Sequence, residues 1–284
     1  MRRYLVTGAK GWLAGELDRR LAAFPGEYSL DRASVRDDIW LDGDWSGYDG
    51  VFHFASVVYG GDPESVNAGL AGRVTAKCAT DGVPWMLLMS SFAVYGAEAR
   101  PNILVDRSTE PEPATPYGRS KLAAEEAAED ALSGSSTCLA VVRAPLVYGP
   151  GQRSGSFSAL MALARRAPFF PETRNARSMV YSQNLCELCR LLADRGAEGL
   201  FLPQDGEHHD TAALVRGLAE RQGRRIRIVP GVSGLTRRLA GASPKLGKLF
   251  GSARYDMAAS DCGLHYRVVG IPEALDATVG RVGR

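Results

Sequence analysis

The stretch Arg3-Tyr4-Leu5-Val6-Thr7-Gly8-Ala9-Lys10-Gly11-Trp12-Leu13-Ala14-Gly15 decides the fold. A short apolar strand runs into a glycine-rich turn, and a helical pattern continues through Phe24. Gly8 and Gly11 would let the backbone approach a pyrophosphate, and the helix that starts there offers unpaired N–H groups and the positive end of its dipole. The spacing is Gly-x-x-Gly-x-x-Ala with Gly15 one place late, so it differs from the Gly-x-Gly-x-x-Gly fingerprint. A second strand, Tyr28-Ser29-Leu30, ends in Asp31. A carboxylate roughly 20 residues beyond the glycines can accept bonds from the ribose hydroxyls of adenosine. Asp31 therefore points to NAD, whereas Lys10 and Arg32 are placed to meet a 2′-phosphate and keep NADP open.

Strands alternate with helical patterns along the chain. Strands are expected near Ile39–Leu41, Val51–Ala55, Trp85–Ser90 and Cys138–Arg143, with helices over Trp12–Phe24, Glu64–Thr80, Pro116–Leu132 and Phe157–Ala164. This pattern predicts an α/β fold, a Rossmann-type doubly wound parallel sheet. From about Arg153 the alternation loosens, with a helix near Gln183–Ala193, a strand at Leu200–Leu202 and a helix near Asp210–Gln222. The division expected is a dinucleotide-binding domain carrying the catalytic residues over 1–152, then a small C-terminal substrate-binding lobe over 153–284, interleaved with the end of the sheet. A chain of 284 residues, 45% hydrophobic, can fill such a core.

A formal charge of +2 is too close to neutral to imply nucleic-acid or membrane-surface binding. No run of about 18 apolar residues suggests a transmembrane segment, and the first strand breaks into glycines before it could serve as a signal-peptide core. A cytoplasmic location is expected. The five cysteines, Cys78, Cys138, Cys186, Cys189 and Cys262, are odd in number and read as reduced thiols. Cys186 and Cys189 fall on one apolar helix face, and no metal site is expected. The basic run Arg224, Arg225, Arg227, Arg237, Arg238, Lys245, Lys248 and Arg254 reads as a solvated face. His208-His209 reads as a loop or cap feature ahead of a helix start at Asp210-Thr211, and His53 as a core histidine.

The chemistry is carried by Ser91-Phe92-Ala93-Val94-Tyr95-Gly96 and Tyr117-Gly118-Arg119-Ser120-Lys121. Tyr117 and Lys121, four apart, share a helix face. A phenol titrates near 10, and an adjacent ammonium favours its phenolate. A hydroxyl, a phenol and an ammonium in this order form a proton-relay set.

With the glycine turn and this set in place, the chain resembles an extended short-chain dehydrogenase/reductase of the NAD-dependent epimerase/dehydratase family that acts on nucleotide sugars. The resemblance extends to Asp49-Gly50-Val51-Phe52-His53-Phe54-Ala55-Ser56, to a structural Asn at Asn67, to Arg143-Ala144-Pro145-Leu146-Val147-Tyr148-Gly149-Pro150-Gly151 and to Arg177-Ser178-Met179-Val180-Tyr181. It implies cofactor contacts at Gly8, Lys10, Gly11, Trp12, Leu13, Asp31 and Arg32. Further ones are implied at Phe54, Ala55, Ser56, Tyr117, Lys121, Pro145 and Val147. Substrate contacts are implied at Ser91, Arg177 and Arg254, with Ser91, Tyr117 and Lys121 catalytic. Leu146 stands where many members have Asn, and Asn184 where many have Asp. The function implied is 4-epimerisation of a UDP-hexose or UDP-N-acetylhexosamine with NAD. The alternatives are NAD(P)H-dependent reduction of a 4-keto-6-deoxy nucleotide sugar and a non-catalytic cofactor-binding regulator. The partner is a nucleotide sugar, and a homodimer is admissible.

Overall fold

The computed structural model describes residues 1–57, 63–97, 99–100, 102–152, 155–241 and 244–280. Its opening stretch forms β1 (Arg2–Thr7), and the glycines deliver the chain into α1 (Trp12–Leu21). Then come β2 (Tyr28–Ala33), β3 (Gly50–His53), β4 (Trp85–Ser91), a short β5 (Ile103–Val105), β6 (Cys138–Ala144) and β7 (Leu146–Tyr148). The series continues with β8 (Phe169–Pro171), β9 (Met179–Tyr181), β10 (Gly199–Phe201), β11 (Arg227–Val229) and β12 (Ala253–Tyr255). The helices that position the site are α2 (Pro63–Thr80), α3 (Pro116–Ala131), α4 (Ser156–Arg166), α5 (Ser182–Arg195) and α6 (Thr211–Arg221).

Among the described residues, six strands form one parallel sheet in the order β10-β6-β4-β3-β1-β2. Alternate residues face opposite sides, and both sides are apolar. Tyr4, Val6, Leu87 and Met89 join the core beneath α1 and α5. Leu5, Val51 and Met86 pack instead with Val74 and Cys78 of α2, while Leu88 meets Ala124 and Ala128 of α3. The register brings the carboxyl ends level: Thr7 faces Ala33 in β2 and His53 in β3, and Ser91 faces Ala144 in β6. Strand order reverses at β1, so the connections leave in opposite directions and open a crevice above the glycine turn.

A second core gathers Tyr148, Phe157, Phe170, Met179, Tyr181, Val215 and Leu218 between the β7–β9 pair, α4 and α6. The chain beyond residue 155 supplies most of this core and also β10 and α5 of the main sheet. In return, β5 pairs with β12. No helix of the described residues is long and apolar enough to cross a membrane.

The strand expected at Ile39–Leu41 is instead a 3-10 turn over Ile39–Asp42. Ile39 is 75% exposed, whereas Trp40 is buried against Trp45 at a ring separation of 5.5 Å. The apolar triplet anchors an indole rather than a ladder. The second strand runs on to Ala33, three residues past its expected end at Leu30, and the third stops at His53. The five cysteines are free, and Cys186 and Cys189 lie fully buried in the main core. Arg225, Arg227, Arg237 and Arg238 are exposed, while the side chains of Lys245 and Lys248 lie outside the described residues.

Asn67 explains how α2 and α3 are held together beside the crevice. Its Oδ1 accepts from the Val57 N–H at 2.8 Å, and its Nδ2 donates to the Val57 carbonyl at 2.8 Å and to Ser120 Oγ at 3.0 Å. One buried amide thus pins the loop after β3 to both helices. Replacing it with Leu leaves these groups without their partner. Asn67→Leu is expected to lower the unfolding free energy by about 1–3 kcal/mol, the cost of stranding buried polar groups, measured by urea denaturation.

Candidate active site

The crevice is a cavity of about 700 Å³ whose lining includes Gly8, Lys10, Gly11, Trp12, Leu13, Ser34, Val35, Arg36, Phe54, Ala55 and Ser56. Gly8 adopts φ +81°, and a Cβ there would come 3.0 Å from the Ala55 amide nitrogen. At Gly11 a Cβ would lie 2.9 Å from the Gly8 carbonyl oxygen. Both glycines are therefore sterically required. Gly11 is also the N-cap of α1 and offers no side chain to its first N–H groups, so these remain for an anionic ligand. Ser56 Oγ is buried, with no hydrogen-bond partner among the described residues. A tight backbone cradle, an uncapped helix start and an orphaned hydroxyl fit a dinucleotide pyrophosphate. Trp12 donates from Nε1 to the Pro150 carbonyl at 2.8 Å and ties the cradle to the loop after β7. His53 is buried 2.7 Å from Thr7 Oγ1, and burial together with the nearby Lys121 charge lowers its pKa to about 3. It is a neutral core histidine.

Ser91 ends β4 and caps the 3-10 turn Phe92–Tyr95, its Oγ accepting from the Ala93 N–H at 3.2 Å. Helix α3 starts at Pro116 behind the cap Thr115, whose Oγ1 accepts from the Gly118 N–H at 3.1 Å. Gly118 is what brings the helix close: a Cβ there would lie 2.5 Å from the Ala93 carbonyl oxygen. Tyr117, half-buried, therefore sits in the turn of α3 that packs on the turn after Ser91. One turn further, Lys121 is buried and donates from Nζ to the Met89 carbonyl at 2.9 Å. Beneath it, Glu125 accepts from Ser90 Oγ and from Arg143 Nη2 at 2.6 Å, and Arg143 Nη1 donates to the Tyr95 hydroxyl at 2.7 Å.

A second cavity, of about 380 Å³, is walled by Leu146, Ala159, Leu160, Leu163, Met179, Leu214 and Leu249, with Arg177 and His209 among its polar groups. Arg177 and His209 are backbone partners, N–H to carbonyl at 3.0 and 2.9 Å in the two directions. His209 Nε2 lies 2.9 Å from Asp205 Oδ2. The pair His208-His209 is thus more than a loop feature. The acid partner stands four residues earlier, and the spacing Asp-x-x-x-His is its signal in the sequence. Asp210 does cap α6, accepting from the Ala213 N–H at 2.8 Å. Arg254 follows Ala253, the other bridge partner of Arg177, but does not line this cavity.

Other expectations shift. Asp31 lies two residues short of the end of β2, pairs across to Leu5, and is engaged by the Tyr48 hydroxyl at 2.8 Å and Arg3 Nη2 at 3.4 Å. It is outside the residues that line the cavity. Arg32 donates to the Ala9 carbonyl at 3.2 Å and to Asp18 at 2.7 Å, clamping the glycine turn to α1. Pro145 and Val147 also lie outside the lining, and Val147 packs on the main core. Asn184 both donates to and accepts from the Val269 backbone at 2.9 Å, a reciprocal pairing that an ionised Asp cannot make.

Fold and crevice define a Rossmann-type α/β protein with its cleft at the switch point of the sheet. Residues 4–201 match the sequence profile of the NAD dependent epimerase/dehydratase family, and the chain belongs to that family. It is 35% identical over 156 residues to the UDP-glucose 4-epimerase of Vibrio cholerae, which is 52% of this chain and 47% of that protein. An uncharacterized protein of Sinorhizobium fredii, y4nG, is 33% identical over 168 residues, 56% of this chain and 40% of its own length. The chain thus spans about half the length, or less, of the curated relatives it matches. Among solved structures, Thermus thermophilus UDP-glucose 4-epimerase in complex with NAD superposes with a TM-score of 0.75 at 21% identity, covering 98% of this chain and 97% of that one. The dTDP-4-dehydrorhamnose reductase of Yersinia enterocolitica gives 0.70 at 16% identity, covering 99% of each.

The burial of Lys121 has a measurable consequence. Burial lowers its pKa from 10.5 to about 8, with the Glu125 charge acting in the opposite direction. Below pH about 8 the ammonium is buried at a cost. Between about 8 and 10.5 the folded chain has released a proton that the unfolded chain still holds, so this residue's contribution to stability rises with pH. Relative to Lys121→Met, the wild type is expected to gain at most about 3 kcal/mol across that window, at 1.36 kcal/mol per unit. Urea unfolding of both proteins at the two ends checks it.

Proposed function

We propose that this chain is an NAD(P)-dependent enzyme that works at C4 of a nucleotide sugar, a UDP-hexose or UDP-N-acetylhexosamine, and interconverts the C4 epimers. The observation that carries the reading is the seating of α3 on the turn after β4, which gathers Ser91, Tyr117 and buried Lys121 at the carboxyl edge of the sheet. The similarity to UDP-glucose 4-epimerases supports the choice of substrate class.

In this reading Tyr117, as phenolate, accepts the proton of the C4 hydroxyl. Ser91 Oγ holds that oxygen by hydrogen bond while it becomes a carbonyl, and Lys121 stabilises the phenolate by charge from one turn below. The bound nicotinamide supplies the acceptor, and then the donor, of the hydride. Arg177, a charged group in a mostly apolar cavity, pairs with the substrate diphosphate. Tyr117 returns the proton when the rotated keto sugar is reduced on its other face.

One observation favours a second reading, reduction of a 4-keto-6-deoxy nucleotide sugar. Leu146 contributes an apolar wall where the resemblance implies an amide, and an apolar wall grips a turning hexose less and suits a deoxygenated one. Redox bookkeeping separates the two. With UDP-glucose or UDP-N-acetylglucosamine and only catalytic cofactor, the epimerase forms the C4 isomer. The reductase instead consumes one reduced nicotinamide per keto sugar. Stoichiometric oxidation with no C4 isomer from either hexose would sink the epimerase. In either case Tyr117→Phe is expected to lower turnover by about 10²-fold or more while dinucleotide affinity holds. A loss under about tenfold removes Tyr117 from the central role.

A further inference from the structure

The lobe beyond residue 155 carries a surface that combines exposed apolar side chains with cations. Strands β8 and β11 pair in parallel with Phe169 opposite Arg227, so the two side chains leave the same side of the ribbon, away from the buried Phe170. Phe169 is 61% exposed. Helix α7 (Ser233–Ala240) follows β11 and is tied to the end of β8, the Thr236 hydroxyl donating to the Glu172 carbonyl at 3.1 Å. Its Leu235 and Leu239, four apart, share one side and are exposed, Leu235 by 57%, with Arg237 and Arg238 exposed between them in sequence. Arg165 and Arg166 end α4 just before β8, and Arg225 precedes β11; all three are exposed. Residues 151–171 and 221–255 contain no Asp or Glu. The nearest carboxylates in sequence are Glu172, engaged by Arg174 and the Gly231 N–H, and Glu220 at the end of α6. Among the described residues none of these six arginines forms an ion pair. The net charge of +2 conceals this surface because the acidic residues lie elsewhere in the chain.

We propose that this surface docks the protein onto an anionic phospholipid bilayer. A water-borne polyanion needs only the cations and gains nothing from a phenyl ring and two leucines held in water. A bilayer takes both halves at once: headgroup phosphates meet the arginines, and the acyl boundary takes Phe169, Leu235 and Leu239. Arginine suits phosphate because its planar fork makes two parallel bonds. Short amphipathic elements with cations flanking the apolar side chains lie in the interface plane and do not cross it. The docked surface belongs to the C-terminal lobe, whereas Ser91, Tyr117 and Lys121 stand on β4 and α3 of the main sheet.

The test mixes the full chain with vesicles of phosphatidylcholine alone, or of phosphatidylcholine with phosphatidylglycerol, and measures the fraction that floats with lipid. Binding to the anionic vesicles is expected to be at least about tenfold tighter than to the neutral ones, and to weaken as salt rises. The double variant Arg237→Glu, Arg238→Glu is expected to weaken it by about tenfold or more. The double variant Leu235→Ser, Leu239→Ser is expected to do the same, since the apolar half of the contact is lost. All four side chains are exposed, so the thermal midpoint and the turnover without lipid should match the wild type. Phe169→Ser, on a separate element, supplies the same reading if α7 does not tolerate change. A wild type that stays out of the lipid fraction overturns the proposal. Vesicle binding that the serine variants leave unchanged also overturns it, as does a single-stranded RNA that binds the wild type more tightly than the anionic vesicles do.

Discussion

The carboxylate of Glu125, buried between Ser90 of β4 and Arg143 of β6, is the interaction on which the edge carrying Ser91, Tyr117 and Lys121 depends. It fixes α3 against the centre of the sheet, so Tyr117 and Lys121, two turns and one turn earlier on the same helix, inherit their height above the strands. Arg143 extends the hold to Tyr95, and its own carbonyl accepts from the Tyr255 hydroxyl at 2.6 Å. Removing one member of a buried pair leaves an uncompensated charge, which typically costs about 3–5 kcal/mol. Apolar packing alone would leave α3 free to slide, whereas a charge with several fixed partners admits one position.

Close backbone approaches do the remaining positioning. Gly118 lets α3 touch the Ala93 carbonyl, Gly8 lets the first turn lie against Ala55, and each position has room for a hydrogen only. Together with the level strand ends, they place the serine, the tyrosine helix and the dinucleotide cradle along one edge of the sheet.

The two cavities differ in kind. The crevice at the glycine turn combines backbone donors with the cations Lys10 and Arg36. The second is apolar, with Arg177 and the Asp205-held His209 in its wall. Charge is thus concentrated on a few groups, and the rest of the second cavity is apolar.

What the sequence determined by itself is whatever short-range chemistry encodes. The strand-to-helix glycine turn, the alternation of elements and the Tyr-x-x-x-Lys spacing are local, because sterics and helix period act over a few residues. Asn67 could be named from the resemblance, yet its three partners belong to two other segments. Tertiary structure alone decided that β2 continues past Asp31, since strand length is set by pairing with β1 and not by the residues of β2. It alone set the Asp205–His209 pair into a cavity wall by joining His209 to Arg177, matched Asn184 to Val269, and buried Trp40 of the Ile39–Asp42 turn in one cluster with Val51 and Val74. These depend on contacts between distant residues, whose energies sum only after the chain has closed its loops.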